Sequence, residues 1–261
     1  MEEPSIKQCC AAFYGSDFAR MLLGDSFHPG GTRLTERLGE LLALTSQSQV
    51  LDVASGRGTS AFHLAQSFGC KVKGVDLSEE NVGLATQETA PRGLSGQVSF
   101  QLGDAERLPF GDETFDAIVC ECAFCTFPSK LIAAQEFYRV LKPGGQLGLS
   151  DLTRTEAAIP GLEGLLSWIA CIGDALPTDR YVAILQQASL RVTFTEDHSD
   201  ALVEMVRQIQ AKLLGAEIMA GLKKIDLPGV DFATGRQFAQ ATLQATSGGA
   251  LGYIVIAARK P

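Results

Sequence analysis

Apolar residues in the first part of the chain recur at three- and four-residue spacing, at Phe18, Met21 and Leu22 and again at Leu34, Leu38, Leu41 and Leu42, which predicts two N-terminal helices. Between them, Gly24-Asp25-Ser26-Phe27-His28-Pro29-Gly30-Gly31 holds glycines and a proline that interrupt a helix, so a mobile loop is expected there. From Gln49 the pattern changes to short apolar runs separated by helical stretches. Strands are predicted at 50–53, 72–76, 98–102, 117–120 and 146–149, with a helix over 59–68 and a turn at Lys142-Pro143-Gly144-Gly145 before the fifth strand. Farther on come helices around 162–172 and 179–188, a strand at 191–195, a helical insertion over 200–246 and a closing strand at 253–258. This β-α-β alternation predicts a doubly wound, mostly parallel seven-stranded sheet with helices on both faces.

Length and charge narrow the classes. The 261 residues suffice for a full core, and a single domain is expected: a helical cap over 1–48, a core over 49–151, and a remainder over 152–261 with the insertion and last strand. Acidic residues outnumber basic ones 30 to 22, for a net charge of −8. Such a surface repels phosphate backbones and anionic membranes, so no nucleic-acid or membrane partner is expected. No run approaches the roughly 18 apolar residues of a membrane span. The start, Met1-Glu2-Glu3-Pro4, lacks the order of a signal peptide, and a cytoplasmic monomer or homodimer is expected.

In an open parallel sheet, ligands bind beyond the carboxyl ends of the strands where the strand order reverses. After the first strand stands Asp52-Val53-Ala54-Ser55-Gly56-Arg57-Gly58, whose glycines let the backbone approach a ligand while the next helix offers free amides. Asp76 ends the second strand, where a carboxylate can accept from both hydroxyls of a ribose, and Gly103-Asp104-Ala105 follows the third, where an acid can hold the amine of adenine. Alone, Gly56-Arg57-Gly58-Thr59-Ser60-Ala61 also fits the looser dinucleotide fingerprint. Its company separates the readings: Phe110-Gly111-Asp112-Glu113-Thr114-Phe115-Asp116 and Arg139-Val140-Leu141-Lys142-Pro143-Gly144-Gly145 follow in order. Over 49–151 the series resembles that of the Rossmann-like class I methyltransferases, which implies S-adenosylmethionine as the cofactor. The resemblance places Asp52 and Gly56 beside the methionine end, Asp76 at the ribose and Asp104 at the adenine. Ala54, Ser55, Gly58, Leu77, Ala105 and Glu121 complete the expected cofactor set, Glu121 being open between a substrate contact and a solvated strand end. Where that family usually has glycine this chain has Ala54, so the backbone there must accept a Cβ.

The fourth strand leads into Cys120-Glu121-Cys122-Ala123-Phe124-Cys125, and Cys171 lies in Trp168-Ile169-Ala170-Cys171-Ile172-Gly173-Asp174-Ala175-Leu176. These segments resemble the arsenite methyltransferases, with Cys122 and Cys171 matching two of that family's cysteines and Asp174 standing where the segment usually has glycine. The resemblance implies trivalent arsenic, a soft centre held by thiolates whose lone pair attacks the methyl sulfonium. The other reading of Cys122, Cys125 and Cys171 is packing, the role expected for Cys70 and Cys120. Cys122 and Cys125 form a Cys-x-x-Cys pair without a second ligand pair, so no resident metal is expected. His28 is either a base for a hydroxyl or amine acceptor or a brace for its loop. The leading expectation is therefore a methyltransferase of trivalent arsenic. The alternatives are a C-, O- or N-methyltransferase of a small metabolite such as a quinone or natural product, and a protein that binds the cofactor without catalysis.

Overall fold

The computed structural model describes residues 21, 24, 26–164, 167, 170–222 and 231–261. The expected first helix, Met21 apart, lies outside them, as do Asp25 of the loop, and Trp168 with residues 165, 166 and 169 of the helix expected over 162–172.

The second expected helix is α1 (Gly31–Leu41), which buries Leu34 and Leu38 at helical spacing. A sheet of seven strands follows: β1 (Gln49–Val53), β2 (Lys71–Asp76), β3 (Val98–Leu102), β4 (Phe115–Glu121), β5 (Leu141–Arg154), β6 (Arg191–Asp197) and β7 (Leu251–Arg259). Their order across the sheet is β3-β2-β1-β4-β5-β7-β6, with β7 antiparallel to β5 and β6 and the remaining pairs parallel. The doubly wound reading therefore holds, with a hairpin-like edge. Burial follows from position: β7, inside the sheet, is buried at every residue but its last, whereas the edge strand β6 alternates exposed and half-buried.

The crossovers are α2 (Thr59–Phe68), α3 (Glu79–Thr89), α4 (Lys130–Val140) and α5 (Thr178–Gln187). Ser78 caps α3 by accepting from the Asn81 backbone N–H, with Glu79 and Glu80 in the first turn, where the helix dipole favours acids. The expected insertion is the pair α6 (Ser199–Gly221) and α7 (Phe232–Ser247), packed on each other and on β7. Among the described residues no helix is long and apolar enough to cross a membrane.

Two local expectations are corrected. The Lys142-Pro143-Gly144-Gly145 turn does not precede β5 but is absorbed into it as an irregularity: Leu141 pairs with Phe115 and Gln146 with Ala117, so the pairing skips the proline and glycines. A proline cannot donate to the ladder and Gly144 sits at φ 77, so the strand accommodates them by a register shift. The helix expected over 162–172 does not continue to its end. Gly164 and Ser167 are helical, but Cys171 turns left-handed at φ 62.

Candidate active site

The strand order reverses beside β1, which sends its crossover to β2 on one side and has β4 on the other. The carboxyl ends of β1, β2 and β4 therefore open onto one crevice. It is a solvent-open cleft with about 1100 Å³ of empty space. Of the residues expected to act, Asp52, Ala54, Ser55, Gly56, Asp76, Leu77, Asp104, Ala105, Glu121, Cys122 and His28 all line it; Gly58, Cys125 and Cys171 do not.

The loop after β1 is shaped by local constraints. Ser55 N donates to Val75 O at 3.0 Å and Gly58 N to Ser55 O at 2.9 Å, which folds the backbone over the end of β2. Gly58 has φ 83, and a Cβ there would come within 2.4 Å of the Phe100 ring, so its glycine serves packing as well as conformation. Ala54 lies at φ 58, a left-handed conformation that costs an L-residue about 1–2 kcal/mol, which explains physically why glycine suits that position.

Asp76 is the hub of this loop. Its Oδ2 accepts from Gly56 N at 2.8 Å, and its Oδ1 accepts from Ser78 N at 2.9 Å and Asn81 Nδ2 at 3.3 Å. Burial raises its pKa, and those three donors oppose the rise. Asp52 is raised well above the ordinary carboxylate range, first by burial and then by the charges of Glu121 and Asp76. Asp104 Oδ1 accepts from Glu106 N at 2.9 Å, fixing the turn after β3.

Glu121 is not a solvated strand end: its side chain is 4% exposed. One oxygen, Oε2, accepts from Ser60 Oγ at 2.6 Å and Thr35 Oγ1 at 3.0 Å, joining α1, α2 and β4, and lies 3.5 Å from His28 Nε2. The other, Oε1, is buried without a hydrogen-bond partner, and so is Asp52 Oδ2. Two buried carboxylate oxygens in one cleft, each lacking a donor, fit a cationic ligand. His28 Nδ1 lies 3.1 Å from Pro29 O, which can only accept, so that nitrogen carries the hydrogen and Nε2 turns toward Ser26, Thr35 and Glu121.

Cys122, in the cleft wall, meets Cys125 and Cys171 behind it. Cys171 Sγ donates to Cys122 O at 3.5 Å, and the thiols of Cys122 and Cys125 both hydrogen-bond to Cys171. Cys122 is pushed well above the usual thiol range by that hydrogen bond and then by burial, Cys125 by burial and then by the same bond. Asp151, fully buried beside them, accepts from Cys125 N and Leu152 N at 2.8 Å each, and burial lifts its pKa to about 7. Among the described residues no group of three or more histidine, cysteine, aspartate or glutamate side chains is arranged to hold a metal ion.

The sequence reading missed Thr35, Ser60, Asn81 and Asp151. Thr35 and Ser60 reach Glu121 from 86 and 61 residues away, so no local motif marks them. Asn81 had a signal, since Ser78-Glu79-Glu80-Asn81 reads as a helix start that returns the chain to the end of β2.

The raised acids set a pH dependence. Asp151, Asp52 and Asp76 hold protons more tightly folded than unfolded, so the folded state binds more protons between the ordinary carboxylate range and the raised values. Their contribution is complete at low pH and is lost as pH rises through about 7 for Asp151. The depressed carboxylates Asp116, Glu136 and Glu196 act below that window. Thermal melts of the ligand-free protein are expected to fall by several degrees between about pH 5 and about pH 8, and Asp151→Asn to flatten part of that slope. A melting temperature that rises over this range would contradict the assignment.

Known proteins share both sequence and fold with this chain. A family model described as a methyltransferase domain matches residues 51–149. Methyltransferase GfsG of Streptomyces halstedii is 32% identical over 180 residues, 67% of this chain and 64% of its own length, so the chain spans slightly under two-thirds of that relative. The 27-O-demethylrifamycin SV methyltransferase of Amycolatopsis mediterranei is 28% identical over 262 residues, 94% of each. The crystal structure of geranyl diphosphate C-methyltransferase from Streptomyces coelicolor, solved with S-adenosyl-L-homocysteine, superposes with a TM-score of 0.80 at 15% identity over the whole of both chains, a likeness of fold. Motif order, cleft and relatives agree: residues 51–149 match a methyltransferase domain, within a chain similar in sequence to known methyltransferases.

Proposed function

We propose that this enzyme methylates a hydroxyl oxygen of a small organic metabolite, with His28 as the base. The observation that carries the reading is the His28–Glu121 contact: Nδ1 is committed to Pro29 O, and Nε2 lies on the cleft 3.5 Å from the Glu121 carboxylate. A neutral imidazole so held can take a proton at Nε2, and the buried Glu121 then stabilises the imidazolium. The 27-O-demethylrifamycin SV methyltransferase, whose name places its chemistry on an oxygen, supports the same class.

S-adenosylmethionine, when bound, supplies a methyl group already activated on a sulfonium. The residues suited to hold it are Asp76 for the ribose, Asp104 with Leu77 and Ala105 for the adenine, and Asp52 with the Gly56 loop for the methionine end. Glu121 Oε1 and Asp52 Oδ2 lack donors that a cation provides. Phe27, Cys122, Ala123, Thr126 and Phe127 carry no formal charge and form the wall for an uncharged acceptor. We take residues 1–261 as one domain in the cytoplasm.

A second reading is methylation of trivalent arsenic, favoured by the meeting of Cys122 and Cys171 across 49 residues of sequence. Against it, the protons of Cys122 and Cys125 are held tightly, so arsenic would have to displace them on binding. Methyl transfer from labelled S-adenosylmethionine, assayed on arsenite and on a panel of hydroxylated polyketides, phenols and amines, separates the readings. O-methyl products are expected. Arsenite methylation that disappears in both Cys122→Ser and Cys171→Ser would replace this reading with the second.

A further inference from the structure

We infer that Cys122 and Cys171 form an oxidant-responsive disulfide pair in the wall of the cofactor cleft, with Cys122 as the sulfur that meets the oxidant and Cys171 as the resolving thiol. The inference rests on the placement of the sulfurs and not on the identity of the methyl acceptor.

The two positions differ in access. Cys122 is half-buried and lines the cleft, whereas Cys171 is 2% exposed and Cys125 fully buried. A small oxidant entering the cleft therefore reaches Cys122 first. Behind it, Cys171 already hydrogen-bonds the Cys122 thiol and lies 3.5 Å from the Cys122 carbonyl oxygen. Cys125 is less suited to resolve, because it is fully buried and its backbone N–H is held by the Asp151 carboxylate. Both Cys122 and Cys171 hold left-handed backbone, at φ 52 and 62, so each thiol is placed by a conformation uncommon for a side-chain-bearing residue.

With a peroxide as the oxidant, the step balances. The Cys122 sulfur attacks one peroxide oxygen, the O–O bond breaks, and Cys122 becomes a sulfenic acid with loss of one water. Cys171 then attacks the Cys122 sulfur, the S–O bond breaks, a second water leaves, and the disulfide holds the two electrons' worth of oxidation. Cys122 holds its proton tightly, so the first step is slow and calls for sustained peroxide.

The test is peroxide treatment of the full chain, then alkylation of remaining thiols and peptide mapping by mass spectrometry. The expected result is a crosslinked peptide pair containing Cys122 and Cys171, a mass loss of two hydrogens, and full reversal by dithiothreitol. Cys125→Ser should keep the crosslink. Cys171→Ser, checked for unchanged circular dichroism, should leave Cys122 to proceed to a sulfinic acid that dithiothreitol does not reverse. The inference fails if both sulfurs remain alkylatable under peroxide that converts the exposed Met219 to its sulfoxide. It fails equally if Cys171→Ser still oxidises reversibly through Cys125.

Discussion

Asp76→Ala is expected to weaken binding of S-adenosylhomocysteine by roughly tenfold to a hundredfold, the range of one charge-assisted hydrogen bond at about 1.5–3 kcal/mol. The carboxylate does two things in this fold. Through Oδ2 it holds the Gly56 amide, and so the loop that faces the ligand; through Oδ1 it holds Ser78 N and Asn81 Nδ2, and so the start of α3. Alanine removes the acceptor proposed for the ribose hydroxyls and releases both elements, so affinity and melting temperature should fall together. Asp76→Asn is the informative companion. It keeps the shape but replaces one acceptor oxygen with a donor, which cannot accept from Gly56 N–H or a ribose hydroxyl. An intermediate loss of affinity with less loss of stability is therefore expected by calorimetry and thermal melts. If asparagine and alanine both bound within about twofold of the parent, Asp76 would be a structural brace of the loop and the ribose would be held elsewhere.

How much of this site the sequence disclosed depends on the kind of constraint involved. Asp52, Asp76 and Asp104 stand at strand ends, and strand ends are readable because apolar runs stop there; their convergence on one cleft then follows from the strand order alone. Ala54 was visible as a departure from glycine, but its φ of 58 is a matter of backbone geometry that no pattern of residue types displays. Glu121 was ambiguous in the sequence because its burial depends on Thr35 and Ser60, which arrive from separate helices. Asp151 figured in the sequence only as the end of the core segment. Only the packing of Cys125, Cys171, Tyr181 and Tyr253 around it makes it a carboxyl that titrates near neutrality. The cysteines show the same limit: Cys122 and Cys171 were paired through resemblance, the structure does bring them together, and proximity alone does not decide what they bind.

His28→Ala is expected to lower kcat/KM for a hydroxyl acceptor by about 10²- to 10⁴-fold, the usual span for removal of a general base, while leaving cofactor affinity within about twofold. The argument begins at the loop. Pro29 fixes the backbone so that its carbonyl faces Nδ1 at 3.1 Å, and in the neutral ring with Nδ1 protonated Nε2 is the nitrogen with a lone pair. Thr35 gives its hydroxyl hydrogen to Glu121 Oε2 at 3.0 Å and so cannot also donate to that lone pair, which faces Ser26 Oγ at 3.4 Å. The proton arriving from the acceptor creates an imidazolium 3.5 Å from Glu121 Oε2, inside a wall where both side chains are nearly buried, so the opposite charge is little screened. Glu121→Gln should therefore reduce kcat more than KM, since the charge matters once the imidazolium has formed. A brace and a base differ in one measurement. Loss of a brace would lower the melting temperature and raise KM, whereas loss of the base lowers kcat at a little-changed KM. If His28→Ala lost less than about tenfold in kcat/KM, the proton would be leaving by another route, and His28 would belong to the loop and not to the chemistry.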